Sequence, residues 1–111
     1  MKSDNVQIEP RELARRLDAG ERVRLLDVRE PEEHALAALP DSLLIPLGEL
    51  PLRLDELDEW REDPVVIYCH HGIRSLHALA ILRRAGFHRL ENLRGGIDRW
   101  SLEVDPRVPR Y

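Results

Sequence analysis

A single cysteine opens a short motif whose residue types and spacing suit covalent chemistry. Cys69 follows the apolar run Val65–Tyr68, and four residues separate it from Arg74. Gly72 lies between them, where a tight loop needs unusual backbone angles, and Ser75 begins a stretch with helical periodicity. A loop that leads into a helix can turn successive backbone N–H groups toward one anionic atom. The motif therefore predicts a thiolate held in an anion-binding loop.

The alternative for Cys69 is a buried, small apolar residue, which is a common fate of a free cysteine. Its place at the end of a strand favours function, because open α/β sheets bind their ligands at that edge. The helix dipole, the loop amides and Arg74 would each stabilise a thiolate. The chain has one cysteine, so neither an intrachain disulfide nor a multi-cysteine zinc site is available.

Two histidines beside Cys69 raise the question of a metal site. His70 and His71 are adjacent, and the remaining histidines are scattered along the chain: His34, His77 and His88. Adjacent histidines next to one cysteine lack the ligand spacing of a tetrahedral site, so we expect no metal. We expect His70 and His71 to face solvent, to shape access to the cysteine and to add positive charge below about pH 6.5.

The segments that must position this loop alternate between strand and helix. Strand-like composition is found in Val6–Ile8, Val23–Val28, Leu43–Ile45, Val65–Tyr68 and Leu90–Leu93. Helical spacing or helix-start signals are found from Pro10 to Gly20, from Pro31, in pieces of Leu47–Trp60 broken at Pro51, in Ser75–Ala85, and from Gly95 to near Trp100. The alternation predicts one α/β domain over residues 1–111, with a mostly parallel central sheet and helices on both faces.

The composition excludes several classes of protein. With 111 residues, 42% of them hydrophobic, the chain can bury one core and disorder is not expected. Its 17 basic and 21 acidic residues are interspersed and give a net charge of −4, so we expect neither a nucleic-acid nor a polybasic membrane surface. The longest apolar runs have five residues, whereas a membrane helix needs about 20. The polar N-terminus lacks a signal-peptide hydrophobic region, and we expect a cytoplasmic protein.

Four segments together resemble the rhodanese-like sulfurtransferases. Cys69–Ser75 is similar to the active-site loop of that family, and Leu26–Glu30 to its early Asp-Val-Arg signature. Leu44–Leu47 resembles the Ile-Pro-Leu element, and Leu93–Trp100 the closing Gly-Gly-Ile-x-x-Trp element. The segments occur in the order of the family and span most of the chain. The tail, Val104–Tyr111, resembles the end of rhodanese domains appended to adenylyltransferases of sulfur-carrier pathways.

The resemblance implies a three-layer rhodanese-like domain that transfers sulfane sulfur through a persulfide on Cys69, without a cofactor. It implies that Arg74 binds a small anionic donor such as thiosulfate. The rest of the substrate site would come from the same loop: His70, His71, Gly72, Ile73 and Ser75. A protein persulfide as donor and a sulfur-carrier protein as partner are equally compatible with the resemblance.

Two other functions are weighed against this one. Cysteine phosphatases also place a thiolate and an arginine in a loop between strand and helix, but their loop has one residue more, and a shorter loop fits one sulfur atom better than a phosphate. A non-catalytic docking module of the same fold is the second alternative, although such modules often lack the cysteine.

Three further features are interpreted as structural. The segment Ala38–Ser42 departs from the family, which usually reads His-Ile-Pro-Gly-Ala there, and we expect this to affect the local loop rather than catalysis. Asp27 and Arg29 are expected to form an ion pair or cap. Gly95 and Gly96 are expected to allow close backbone approach, because the rest of a phosphate-binding pattern is missing.

Overall fold

Five parallel strands form the sheet that carries the cysteine loop. The computed structural model describes residues 6–111. The strands are β1 (Gln7–Ile8), β2 (Arg24–Asp27), β3 (Leu43–Leu44), β4 (Val65–Tyr68) and β5 (Leu90–Leu93). Their order across the sheet is β1-β5-β4-β2-β3, and every neighbouring pair is parallel. Because β4 is central, the residue that follows it, Cys69, lies in the middle of the carboxyl edge of the sheet.

Within residues 6–111, three α-helices and two 3-10 helices connect the strands, and a fourth α-helix follows the last strand. They are α1 (Pro10–Asp18), α2 (Pro31–Leu36), the 3-10 helices Leu47–Leu52 and Leu54–Trp60, α3 (Arg74–Arg84) and α4 (Gly96–Glu103). Pro10 and Pro31 each stand at a helix start, where the missing N–H costs nothing. None of the helices in the described part of the chain is long and apolar enough to cross a bilayer.

Two of the predicted helices have different bounds in the structure. The helix after the cysteine loop spans Arg74–Arg84 rather than Ser75–Ala85, so Arg74 belongs to the first turn of α3. The last helix continues past Trp100 to Glu103, because no glycine or proline interrupts the chain before Pro106.

The core lies on both faces of the sheet, as the sequence predicted. Along β4, Val65 and Ile67 pack with residues of α3 and the 3-10 helices, whereas Val66 and Tyr68 pack with residues of α1 and α4. All four β4 residues are buried, which explains why this strand reads as a continuous apolar run. Burying such a side chain contributes about 1.5–3 kcal/mol, so the strand that carries Cys69 is firmly anchored.

The expected Asp27–Arg29 ion pair is formed and is completely buried. The Arg29 Nη2 and Nε atoms lie 2.6 and 2.8 Å from the two carboxylate oxygens of Asp27, and both side chains have 0% exposure. Arg29 also donates to the carbonyl oxygen of Ala37 at 2.5 Å and to the hydroxyl of Tyr111 at 2.7 Å. The pair therefore joins the end of β2 to the end of α2 and to the tail.

The segment that departs from the family pattern forms a turn held by Tyr68. Asp41 has a φ of +60°, in the left-handed region that glycine fits, at the position where the resemblance expects glycine. Such a conformation costs an aspartate about 1 kcal/mol. The Tyr68 hydroxyl accepts from the Leu39 amide at 3.1 Å and lies 2.8 Å from Ser42 Oγ, so the turn stays attached to β4.

Candidate active site

The sulfur of Cys69 lies inside the loop that the sequence singled out. Its Sγ accepts the backbone N–H groups of Gly72 at 3.1 Å and of Ser75 at 3.3 Å, and it lies 3.3 Å from Ser75 Oγ. The cysteine is 1% exposed. Donors already aimed at the sulfur favour a negatively charged sulfur without rearrangement of the loop. We call this arrangement of Cys69, Gly72 and Ser75 the sulfur cradle.

A side chain of β5 holds the backbone of the cysteine loop in place. Gly72 has a φ of +102°, a conformation that L side chains rarely adopt. Its carbonyl oxygen accepts from the Asn92 side chain at 3.2 Å. Asn92, at 1% exposure, lies in β5 and so links the middle of the cradle to a neighbouring strand.

The N-terminus of α4 supports the loop at its other end. The amide of Ile97 donates to the Cys69 carbonyl at 2.9 Å, and that of Asp98 to the His70 carbonyl at 3.1 Å. A Cβ on Gly96 would lie 2.3 Å from the His70 oxygen and 2.5 Å from the Cys69 oxygen. Close backbone approach is thus confirmed for Gly96, and it occurs against the cysteine loop itself.

Arg74 is held in a bidentate ion pair that the sequence did not reveal. Its Nη1 and Nη2 atoms lie 2.7 and 2.9 Å from the two oxygens of Glu33, in the first turn of α2. The hydrogen bonds from Arg74 lower the pKa of Glu33 to about 2, against the opposing effect of burial. The expected cation, Arg74, is therefore present, but its guanidinium is already paired with the Glu33 carboxylate.

Tyr111 completes this ion pair and closes over the loop. Its hydroxyl donates to Glu33 Oε2 at 2.8 Å and accepts from Arg29. Its ring stacks on His70, with centroids 4.0 Å apart and an interplanar angle of 7°. A chain of polar contacts thus runs from the buried Asp27–Arg29 pair through Tyr111 and Glu33 to Arg74.

The prediction that both histidines face solvent was right for His71 and wrong for His70. The His71 side chain is 62% exposed. The His70 ring lies between His71, with centroids 3.9 Å apart, and Tyr111. Burial, followed by the proximity of His71, lowers the pKa of His70, so this ring is neutral at pH 7. His70 forms a wall of the site rather than a source of positive charge.

A cluster of His70, His71 and Asp98 has the residue types of metal ligands. One potential ligand atom from each lies within 4.8 Å of the others. The two rings are stacked, with centroids 3.9 Å apart and an interplanar angle of 26°, so their nitrogen lone pairs lie in two separate planes. Asp98 already accepts from Arg110 at 2.9 and 3.3 Å. These contacts favour a packing role, and the absence of a metal stays a prediction.

The remaining loop residue, Ile73, lies at the rim. It is 69% exposed and directly precedes Arg74. The structure thus brings Gly72 and Ser75 against the sulfur, places Ile73 and His71 outward, and turns Arg74 toward Glu33. Of the groups that sequence reasoning missed, Glu33 had one signal, an acid in the first turn after Pro31, but nothing in the sequence pointed it toward Arg74.

Glu33 is expected to make stability depend on acidity. Its folded-state pKa of about 2 lies below the ordinary value of 4.5, so its contribution is fully present above pH 4.5 and is lost as the pH falls toward 2. We expect Glu33→Gln to lower the free energy of unfolding by about 1–2 kcal/mol at neutral pH, allowing for partial solvent screening.

Urea unfolding of both proteins, near neutral pH and near the pKa of Glu33, measures this difference. The exposed neighbour Glu32 provides the control Glu32→Gln, which makes the same change of charge on the same helix. A destabilisation by Glu33→Gln that is equally large at both acidities would contradict the ionised pair.

Comparison with known proteins relates this geometry to a family. The model of the rhodanese-like domain matches residues 9–103. A sulfurtransferase of Allochromatium vinosum is 42% identical over 92% of this chain and 94% of its own length. The probable adenylyltransferase/sulfurtransferase MoeZ of Mycobacterium tuberculosis is 34% identical over 94% of this chain, which spans 26% of that longer protein.

A solved structure agrees with these sequence matches. The human single-domain sulfurtransferase TSTD1 superposes with a TM-score of 0.75 and 30% identity, over 91% of this chain and 98% of the human chain. The likeness extends over nearly the whole of both chains, so the rhodanese-like α/β fold predicted from the sequence is confirmed.

Proposed function

Because the chain belongs to the rhodanese-like domain family and is a sulfurtransferase, we propose that Cys69 carries the transferred sulfur as a persulfide. The observation that supports this most strongly is the sulfur cradle, in which two amides and a hydroxyl surround Sγ. The same donors suit a persulfide, whose charge is also negative. Covalent transfer in two steps follows from a nucleophile of this kind.

In the first step, the Cys69 thiolate attacks the outer sulfur of the donor. With thiosulfate, the new S–S bond forms as the old one breaks, and sulfite leaves with the electron pair of the broken bond. In the second step, a nucleophilic acceptor attacks the outer sulfur of the persulfide, and the Cys69 thiolate is released. The chain has no second cysteine that could resolve the persulfide, so the sulfur leaves only to a group outside this chain.

The donor is thiosulfate or a protein persulfide, and the acceptor is a thiophilic small molecule or protein. The tail resembles that of rhodanese domains appended to adenylyltransferases, and MoeZ, an adenylyltransferase/sulfurtransferase by name, matches along 94% of this chain. These two resemblances support a sulfur-carrier protein as the partner that receives or delivers sulfur.

Intact mass of the pure protein tests the proposal. Incubation with excess thiosulfate, or with a low-molecular-weight thiol persulfide, is expected to add the mass of one sulfur atom. Cyanide is then expected to remove it as thiocyanate. An unchanged mass with both donors, while the thiol is reduced and the protein folded, would overturn the proposed function.

Arg74 is expected to support the use of an anionic donor. Arg74→Ala removes a guanidinium and leaves Glu33 unpaired beside the loop, so the rate of loading from thiosulfate should fall by about 10- to 100-fold, the loss expected for a charged hydrogen bond. Arg74→Lys should recover only part of this rate, because an ammonium cannot make two parallel hydrogen bonds.

The measurement is the loading rate by quenched intact mass. Arg84→Ala, which removes an exposed arginine from the last turn of the same helix, is the control and should leave the rate unchanged. Equal rates for the wild type and Arg74→Ala would show that Arg74 takes no part in donor binding.

A further inference from the structure

The pairing of Arg74 bears on which donor the site accepts. We infer that Glu33 is a specificity-determining residue, which disfavours doubly charged donors such as thiosulfate and selects a persulfide carried on an organic thiol, which reacts in its protonated form, R–S–SH. This inference rests on the proposed function, in which Cys69 receives the sulfur. It adds the chemical class of the donor and a residue that sets the preference.

Glu33 is fixed in place and does not leave Arg74 readily. Besides the two contacts with Arg74, its Oε1 accepts the Glu30 amide at 3.0 Å, and its Oε2 accepts the Tyr111 hydroxyl at 2.8 Å. Both oxygens therefore have two donors each. With its pKa lowered to about 2 by Arg74, the carboxylate stays ionised at neutral pH. An incoming anion must compete with this resident carboxylate for the guanidinium.

Two other arginines near the loop are also paired with carboxylates. Arg29 is paired with Asp27 at full burial, and Arg110 is paired with Asp98. The pKa of His70 is lowered by burial, which leaves that ring uncharged at pH 7. The sulfur cradle itself offers amide and hydroxyl donors but no net charge. The site thus stabilises the sulfur by hydrogen bonds rather than by a nearby unpaired positive charge.

The two donors differ in the total negative charge that they bring together with the Cys69 thiolate, and this difference determines which donor reacts faster. Thiosulfate reacts as ⁻S–SO₃⁻ + Cys69–S⁻ → Cys69–S–S⁻ + SO₃²⁻, which gathers three negative charges throughout. A thiol persulfide reacts through its protonated form as R–S–SH + Cys69–S⁻ → Cys69–S–SH + R–S⁻, which carries one negative charge. During the transfer the outer sulfur keeps its proton, and the electron pair of the broken S–S bond leaves on R–S⁻. The Cys69 persulfide then releases that proton to solvent and becomes the anion that the cradle binds. Without an unpaired cation, gathering three like charges at contact distance is far less favourable.

The rim of the loop suits an organic carrier for the same sulfur. Ile73 is 69% exposed, and Leu76, in the first turn of α3, is 39% exposed. Covering such apolar surface contributes about 25 cal/mol for each Å² removed from water. The organic group of R–S–SH can use this contact, whereas a sulfonate cannot.

Second-order loading rates with two donors test the inference. The probes are thiosulfate and cysteine persulfide, and loading is followed by quenched intact mass. We expect the wild type to load at least about tenfold faster from cysteine persulfide. Glu33→Gln, which frees Arg74 of its carboxylate, should raise the thiosulfate rate about tenfold and change the persulfide rate by less than about twofold.

Two further variants make the test specific. Glu32→Gln, the exposed neighbour with the same change of charge, should change neither rate. Tyr111→Phe removes one hydrogen bond from Glu33 without changing any charge, and it should raise the thiosulfate rate by a smaller factor. Melting temperatures confirm that each variant is folded.

The other possible results distinguish failure of the specificity role of Glu33 from failure of the proposed sulfur transfer. A wild type that prefers thiosulfate, or a Glu33→Gln variant that uses thiosulfate no faster, overturns the specificity role while sulfur transfer through Cys69 stands. An equal gain from Glu32→Gln assigns the effect to overall charge and overturns it too. Loading from neither donor overturns the proposed function and this inference with it.

Discussion

Cys69→Ser is expected to abolish sulfur loading altogether, whichever donor is used. The chain has one thiol, and a serine hydroxyl in the same cradle is neither ionised at neutral pH nor able to form a persulfide. Cyanide should then yield no thiocyanate from the variant. Intact mass after incubation with excess donor, and thiocyanate release on adding cyanide, measure the two losses.

A graded control separates the loss of chemistry from damage to the loop. Ser75→Ala keeps the thiol and the Ser75 amide but removes the hydroxyl that lies 3.3 Å from Sγ. It should still load one sulfur atom, at a rate lowered by about tenfold or less, which corresponds to one hydrogen bond. If the Cys69→Ser protein still gained a sulfur atom, the residue that receives sulfur from the donor would not be Cys69. Hydrolysis of an aryl phosphate that depends on Cys69, without any sulfur loading, would favour the phosphatase alternative.

The cradle could be predicted from the sequence because its parts are close along the chain. Cys69, Gly72 and Ser75 lie within one strand-to-helix connection, and their contacts follow from the direction of β4 and the start of α3. The parallel direction of the strands likewise follows from their alternation with helices, whereas their order across the sheet was not predicted. Local patterns thus fixed both the position of the nucleophile and the edge of the sheet where it lies.

The partners of Arg74 and His70 could not be predicted in this way. Glu33 is 41 positions from Arg74 in the sequence, and the stacking of Tyr111 on His70 depends on where the tail crosses the carboxyl edge. Periodicity describes single elements and carries no signal for which side chains meet between them. The motif predicted an arginine that binds an anionic donor, and the structure adds a carboxylate that already occupies its guanidinium.

The support beneath the loop gives a second large expected effect. Gly96→Ala should destabilise the protein by about 2–5 kcal/mol, which combines the strain of a positive φ with the loss of up to two hydrogen bonds. The added Cβ would lie 2.3 Å from the His70 oxygen and 2.5 Å from the Cys69 oxygen. Both contacts are with backbone, so no side chain can turn aside to relieve them.

The same substitution should slow sulfur loading, because the clash acts on the loop that holds the sulfur. Moving the Cys69 and His70 carbonyls away from α4 breaks their bonds to the Ile97 and Asp98 amides and displaces the cradle with them. Displacing the cradle misplaces the sulfur relative to the donor, and we expect this to lower the loading rate by at least about tenfold. Urea unfolding and the rate of mass gain measure the two effects on the same samples.

A substitution at Gly20 measures the effect of backbone strain without a steric clash. Gly20 also has a positive φ, +80°, but a Cβ there would meet nothing within 4 Å. Gly20→Ala should therefore cost only the strain of its backbone, about 1 kcal/mol, and leave loading unchanged. The difference between the two variants is the contribution of the contact between α4 and the cysteine loop. Equal stabilities, with normal loading in both, would mean that the loop keeps its geometry without α4, and the cradle would then owe its shape to β4 and α3 alone.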